Sequence, residues 1–503
     1  MTRKCQFFLI LMGIVGILLI LVTCRYGAGL EPDSVGYISV ARHLKAGSGF
    51  TIYNDSPLIW QPPAYPIVLA FMGYISGIDP LCLTSILNAF LFGSVIYLSG
   101  YLFLKQFSSS AVFAFFGVFT VLFSKSLFDI SVWAMSEILF VFFVILCFLF
   151  LDFYLKKQKI TSLIFFSFAV ALSCLTRYIG VVLILWGTIV ILFFYRGKLK
   201  IKLIHLFLFL SISVFPTFIW LSRNYIISGT LLDSRSASTT TLYQNIYLTL
   251  NTILNWYIHP TIVKKHIILL ILGLIIILSI YFSIKNDWQK IKKILLLTGP
   301  IILFIAIYTV FLIISSTVTA FDPIGNRLLS PIYMPLTLVL LVFIKIIFDH
   351  YKENFSHKFI KPFSVIIIGV WLIYLLRSTL LDVMYIYPTG LGYNNLLWRN
   401  SQTILFIKNK QKLLSNHATY SNYPEAIYII SDYITEMCPD KYNFNMSTIK
   451  NYWPRDNVSY VIWFTKNTRD YLFMMDDLCP IIKIDTLQQF KDGIIYCVAK
   501  RDN

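Results

Sequence analysis

Apolar runs recur along the chain at lengths of about 20 residues, the length that crosses a lipid bilayer as a helix. They predict about eleven spans, at 7–24, 82–104, 109–124, 135–155, 160–175, 179–195, 203–222, 267–284, 294–315, 329–348 and 359–378. A further stretch, 64–77, is apolar but too short to cross and predicts an interfacial helix. Before it lies a polar island, EPDSVGYISVARHLKAGSGFTIYNDSPLIWQPPAYP (31–66), punctuated by proline and glycine. From about residue 380 the pattern changes again. AIYIISDYI (426–434), VSYVIWF (458–464) and GIIYCVAK (493–500) are short β-rich runs, while SQTILFIKNKQKLL is helix-compatible. The expected fold class is therefore an all-α polytopic membrane protein over 1–379, whose first external loop is 25–81. A small α/β domain outside the membrane follows over 380–503.

Composition supports this partition: 57% of the 503 residues are hydrophobic and 13% are charged, against roughly a quarter charged in soluble domains. The mean hydropathy of +0.74 excludes a single soluble core. A net charge of +18 raises the question of nucleic acid, but the basic residues sit in alternate short loops between apolar runs. They form no patch interleaved with aromatics. Lys156, Lys157 and Lys159, then Arg196, Lys198, Lys200 and Lys202, are such loops. The positive-inside rule places them in the cytoplasm, with the N-terminus, and puts loop 25–81 and the tail on the opposite, extracytoplasmic side. Segment 7–24 also reads as a signal with a lipoprotein-like LVTC box. Thr23 directly before Cys24 matches that box poorly, which favours a retained first helix. The eight cysteines have no metal-site spacing. In an extracytoplasmic tail they leave room for one disulfide, Cys438 with Cys479 among the pairings open.

In the polar island, Asp33 has two readings. It suits a helix N-cap ahead of VGYISVARHL, and it is also a carboxylate sharing a helical face with Tyr37. The wider pattern is D-S-x-x-Y-x-x-x-A-x-x-L-x-x-G-x-G-F followed by P-P-x-Y-P, carried by Asp33, Ser34, Tyr37, Ala41, Leu44, Gly47, Gly49, Phe50, Pro62, Pro63, Tyr65 and Pro66. It resembles the first external loop of lipid-dependent glycosyltransferases with the GT-C fold. Within them it is most similar to protein O-mannosyltransferases and the bacterial aminoarabinose transferase, the glycosyltransferase family 39 type. The resemblance implies a sugar donor carried on a polyprenyl phosphate, an extracytoplasmic acceptor (lipid, glycan or protein), and a bacterial inner membrane as location. It also implies that Asp33 is the catalytic base or the group that orients the acceptor. A carboxylate suits that task, because the acceptor hydroxyl must lose its proton as it attacks the anomeric carbon. One displacement inverts that carbon and needs no nucleophilic carboxylate.

Further candidates lie at intervals. Glu137, in WAMSEILFVFF, reads either as a catalytic acid or as a first-turn charge favoured by the helix dipole, with Asp129 as the alternative second acid. Arg177 in LTRYIGV, Arg223 in WLSRNYIISG and Arg327 in GNRLLSPIYMP each read alone as snorkelling residues. Together, at one membrane face, they suit a lipid phosphate, whose charge planar guanidiniums neutralise. Tyr37, Arg42 and Gln61 complete the expected substrate-binding set, with His43 and Lys45 behind them. Gln61 departs from the aminoarabinose transferase pattern, which has lysine directly before Pro-Pro. No metal ligand is assigned. The chain has no Asp-x-Asp pair for a metal-bound nucleotide sugar, and the residues call for no cofactor, while leaving room for a divalent cation at the phosphate. The rival classes are a transporter or lipid-linked-sugar flippase, which would place ionisable groups at mid-membrane depth, and an O-antigen ligase or polymerase, which lacks this loop pattern.

Overall fold

The computed structural model describes residues 2–108, 110–233, 236–259, 288–354, 357–466 and 469–501. The chain is mostly helical. In order, the first helices are α1 (Arg3–Thr23), α2 (Pro32–Ala46), α3 (Ala64–Ser76), α4 (Pro80–Gln106), α5 (Ala111–Leu122), α6 (Lys125–Ser131) and α7 (Glu137–Lys157). They are followed by α8 (Ile160–Thr176), α9 (Val181–Phe194), α10 (Leu199–Ser228), α11 (Leu242–Tyr257), α12 (Trp288–Val318), α13 (Asn326–Asn354) and α14 (His357–Thr389). Among the described residues seven helices are long and apolar enough to cross a membrane. An eighth is added if α5 and α6, bent by 42° at their junction, form one broken span. The protein is an integral membrane protein.

Expected spans 160–175 and 179–195 appear as two separate helices, α8 and α9, within about two residues at each end, though at 17 and 14 residues they are shorter than the seven. Arg177 between them is extended (φ −148°, ψ 136°). A tight turn, Tyr178–Gly180, then restarts the chain. Expected span 267–284 lies outside the described residues. Helix α11 was not anticipated. Its start is nonetheless written in the sequence as a capping box, Thr241 accepting from Gln244 N–H while Gln244 accepts from the Thr241 backbone.

By packing, the chain forms two compact units. The first comprises 1–25, 59–69 and 82–388, and the second comprises 26–58, 70–81 and 389–503. This partition differs from a simple cut near residue 380, since the second unit takes in most of the first loop. Its sheet contains β1 (Thr419–Ser421), β2 (Glu436–Met437), β3 (Ser459–Phe464), β4 (Ile482–Gln489) and β5 (Gly493–Lys500) in the order β2-β1-β3-β5-β4. Strand β1 runs parallel to β2 and β3, and β5 runs antiparallel to β3 and β4. All six residues of β3 are buried, which explains its unbroken apolar run. Val461 and Trp463 pack into one core with Tyr420 and Trp453. Tyr460, Ile462 and Phe464 pack into the other, with Ile404, Ile407 and Ile427.

Two tail expectations need correction. SQTILFIKNKQKLL is helical as expected, at α15 (Gln402–Leu414), but AIYIISDYI is no strand. It forms most of α16 (Pro424–Ser431). Proline at the helix start and Glu425 in the first turn favour that start. Asp432, left-handed at the C-cap, ends it. Local capping thus overrides the β-branched composition. The eight cysteines are all free thiols: Cys438 is buried inside the core while Cys479 is exposed.

Candidate active site

In the first unit the chemistry converges on the start of α7. Glu137 is its first residue, with a side chain only 3% exposed. Its Oε1 pairs with Arg177 Nη1 at 2.5 Å and also with Arg327 Nε. Arg327, the second residue of α13, also places Nη1 2.9 Å from Asp322 Oδ2. Arg177 reaches Ser136 Oγ at 3.4 Å. One buried carboxylate therefore holds two guanidiniums that each remain partly exposed, 21% for Arg177 and 32% for Arg327. Glu137 thus bridges the two cations. Its second oxygen, Oε2, accepts no hydrogen bond among the described residues.

The turn after Arg177 is as tight as its geometry demands. A Cβ on Gly180 would lie 2.7 Å from both Cα and N of Cys174, so only glycine fits. Tyr178 in the same turn donates its hydroxyl to the carbonyl of Ile59 at 3.1 Å and accepts from Trp220 Nε1 at 3.1 Å. Arg223, near the end of α10, lies 4.7 Å over the Trp220 ring and donates to Asn224 Oδ1 at 3.0 Å. Buried Asn224 in turn donates to the Ile59 carbonyl at 3.3 Å. The WQPP segment therefore leaves a fixed point. Gln61 in it is buried, and its Oε1 finds no hydrogen-bond partner among the described residues. Further along, Tyr65 donates to Asn88 Oδ1 at 3.2 Å, and Asn88 Nδ2 bonds the carbonyls of Ser131 and Trp133. That pins the loop leading into Glu137.

Asp129, the alternative second acid, meets the residue directly before Arg327. It accepts from Asn326 Nδ2 at 2.8 Å, and Asn326 Oδ1 accepts from Trp256 Nε1 at 2.9 Å. Sequence reasoning missed Tyr178, Asn224, Asn88, Asn326 and Asp322. Three of these directly adjoin an arginine already singled out, and that adjacency was the available signal.

In the second unit, α2 carries the loop motif. The N-cap is Glu31, not Asp33: Glu31 and Ser34 form a capping box, with Ser34 Oγ accepting from Glu31 N–H at 3.1 Å. Pro32 takes the first helical position and Asp33 lies in the first turn, half-buried. The capping reading of Asp33 is thereby replaced, since Glu31 fills that role. Tyr37, one turn on, is buried. Arg42 is a clamp. Its Nε and Nη2 meet both oxygens of Asp79 at 2.9 and 3.2 Å, Nη1 meets Asp432 Oδ1 at 3.2 Å, and the guanidinium lies over Tyr428. His43 Nδ1 lies 2.8 Å from Thr51 Oγ1, and Lys45 donates to the carbonyls of Gly77 and Ile78. These three basic residues hold the loop together. Among the described residues no group of three or more His, Cys, Asp or Glu side chains is placed to hold a metal ion.

Solved structures share this architecture. ArnT from Cupriavidus metallidurans in the apo state aligns with a TM-score of 0.62 at 14% identity, over 98% of this chain and 98% of that one. ArnT bound to undecaprenyl phosphate aligns with 0.61 at 14%, over 97% and 98%. The archaeal oligosaccharyltransferase AglB from Archaeoglobus fulgidus, in complex with an inhibitory peptide and a dolichol-phosphate, aligns with 0.55 at 10%, over 92% and 70%. The chain has the GT-C fold. No family model and no curated protein matches the sequence. Glu137, Arg177 and Arg327 all lie at helix ends.

Proposed function

We propose that this protein is an inverting membrane glycosyltransferase that moves a sugar from a polyprenyl-phosphate donor to an acceptor on the extracytoplasmic side. The observation that carries the reading is the pair of guanidiniums, Arg177 and Arg327, held on one buried carboxylate at helix ends of a GT-C fold. Such a pair is preorganised for the charge that develops on a departing phosphate. The ligands in the ArnT and AglB structures, undecaprenyl phosphate and dolichol-phosphate, are both phosphates on prenyl chains, the chemistry this pair suits. Buried Gln61 Oε1 and Glu137 Oε2, acceptors unmet among the described residues, favour a ligand rich in hydroxyl donors, because an unmet buried acceptor is costly.

In this reading Asp33 takes the proton of the acceptor hydroxyl. The hydroxyl oxygen bonds to the anomeric carbon, and the bond from that carbon to the lipid phosphate breaks, its electron pair staying on the phosphate oxygen. Arg177 and Arg327 neutralise that oxygen, with Arg223 beside Trp220 as a third cation, while Tyr37 supports the helix that presents Asp33. The tail lies outside the membrane, the N-terminus in the cytoplasm, and the location is a bacterial inner membrane. A transporter is disfavoured because these ionisable groups occupy helix ends. The test supplies labelled polyprenyl-phosphate sugars to membranes containing the protein. The wild type is expected to consume a donor, and Asp33→Asn to lose about 10²-fold or more in transfer, the range for a removed general base. Consumption of no such donor by the wild type would sink the reading, and full activity of Asp33→Asn would remove Asp33 from its role.

A further inference from the structure

The first unit holds a second charged feature that the transfer chemistry does not use. Along the second half of α7, 11 to 19 residues from Glu137 or roughly 17–29 Å along the helix, lies a cavity of about 390 Å³. Three cations, Lys105, Lys156 and Arg196, line it beside one carboxylate, Asp152. Asp152 pairs with both lysines, at 2.7 Å for Lys156. Arg196 is exposed and makes no ion pair among the described residues. The lining therefore carries two uncompensated positive charges. Buried Phe148, Leu151 and Met334 give it an apolar wall.

We infer that this cavity binds a membrane phospholipid with an anionic headgroup, the phosphate at Arg196 and Lys156 and an acyl chain along Phe148, Leu151 and Met334. Charge complementarity selects an anion. The apolar wall selects a lipid over a free phosphate ion, which would leave that wall facing water. The site is independent of the transferase reading, because it lies along the second half of α7 and shares no residue with the arginine pair.

The experiment uses the full-length protein in detergent, with native mass spectrometry reading bound lipid after equal exposure to phosphatidylglycerol or phosphatidylcholine. Phosphatidylglycerol is expected to be retained preferentially, and Arg196→Gln with Lys156→Gln to reduce that preference by about fivefold per cation removed. Leu151→Trp, which fills the apolar wall and leaves the cations intact, should also expel the lipid. Millimolar inorganic phosphate should not displace it. Equal retention of both lipids, an unchanged preference in the double variant, or displacement by inorganic phosphate would each overturn the assignment.

Discussion

Glu137→Gln tests the arginine clamp with the least change in shape. The carboxylate is 3% exposed and faces two guanidiniums, Arg177 and Arg327, through one oxygen. Breaking a buried ion pair by neutralising one partner typically costs about 3–5 kcal/mol, because the other charge is left uncompensated. The amide still offers one oxygen acceptor and both arginines are partly exposed to water, so the lower end, about 3 kcal/mol, is expected here. Thermal unfolding of the detergent-solubilised protein, followed by fluorescence of its ten tryptophans, should show a midpoint lowered by several degrees. The decisive arm is the double variant Glu137→Gln, Arg177→Gln. If the loss arises from an unbalanced cation, removing that cation should recover part of the stability, a coupling of about 1 kcal/mol or more. A midpoint within a degree of wild type for Glu137→Gln, or strictly additive losses in the double variant, would refute the clamp.

Two further outcomes follow from single positions. Gly180→Ala would press a methyl group against the α8 backbone at 2.7 Å, and we expect about 1–3 kcal/mol of destabilisation, read as a lower unfolding midpoint; an unchanged midpoint would mean that the turn yields. Burial pushes the Cys438 thiol well above its ordinary value, so it stays protonated through neutral and mildly alkaline pH. A maleimide reagent at pH 8 should therefore label exposed Cys479 in minutes and spare Cys438 until the protein is denatured. Equally fast labelling of both would contradict the buried placement.

The fold was largely legible because long apolar runs admit few alternatives in a bilayer. Bends were less so: α5 and α6 meet at 42°, which hydropathy does not register. The tail misled at 426–434, where β-branched residues form a helix started by Pro424 and stopped at Asp432. The arginines of the candidate site could be read from their places at the ends of spans. That Glu137 is the carboxylate two of them meet could not, because Arg327 lies 190 positions from it, and Asn88 is a polar residue whose burial only tertiary packing reveals. Arg42 shows the converse. It reads as a phosphate ligand from its loop, yet a distant aspartate, Asp432, and Asp79 occupy it.

That same clamp bears on inheritance. Because α2 is riveted to α16 through Arg42, Asp432 and Tyr428, the proposed base and the tail form one module despite lying some 390 residues apart in the chain. A lineage that exchanged its tail for another would have to exchange residues 26–58 and 70–81 with it, or lose the footing of Asp33. The two segments are expected to evolve in step, and chimeras that join them across different parents should fail unless both come from the same one.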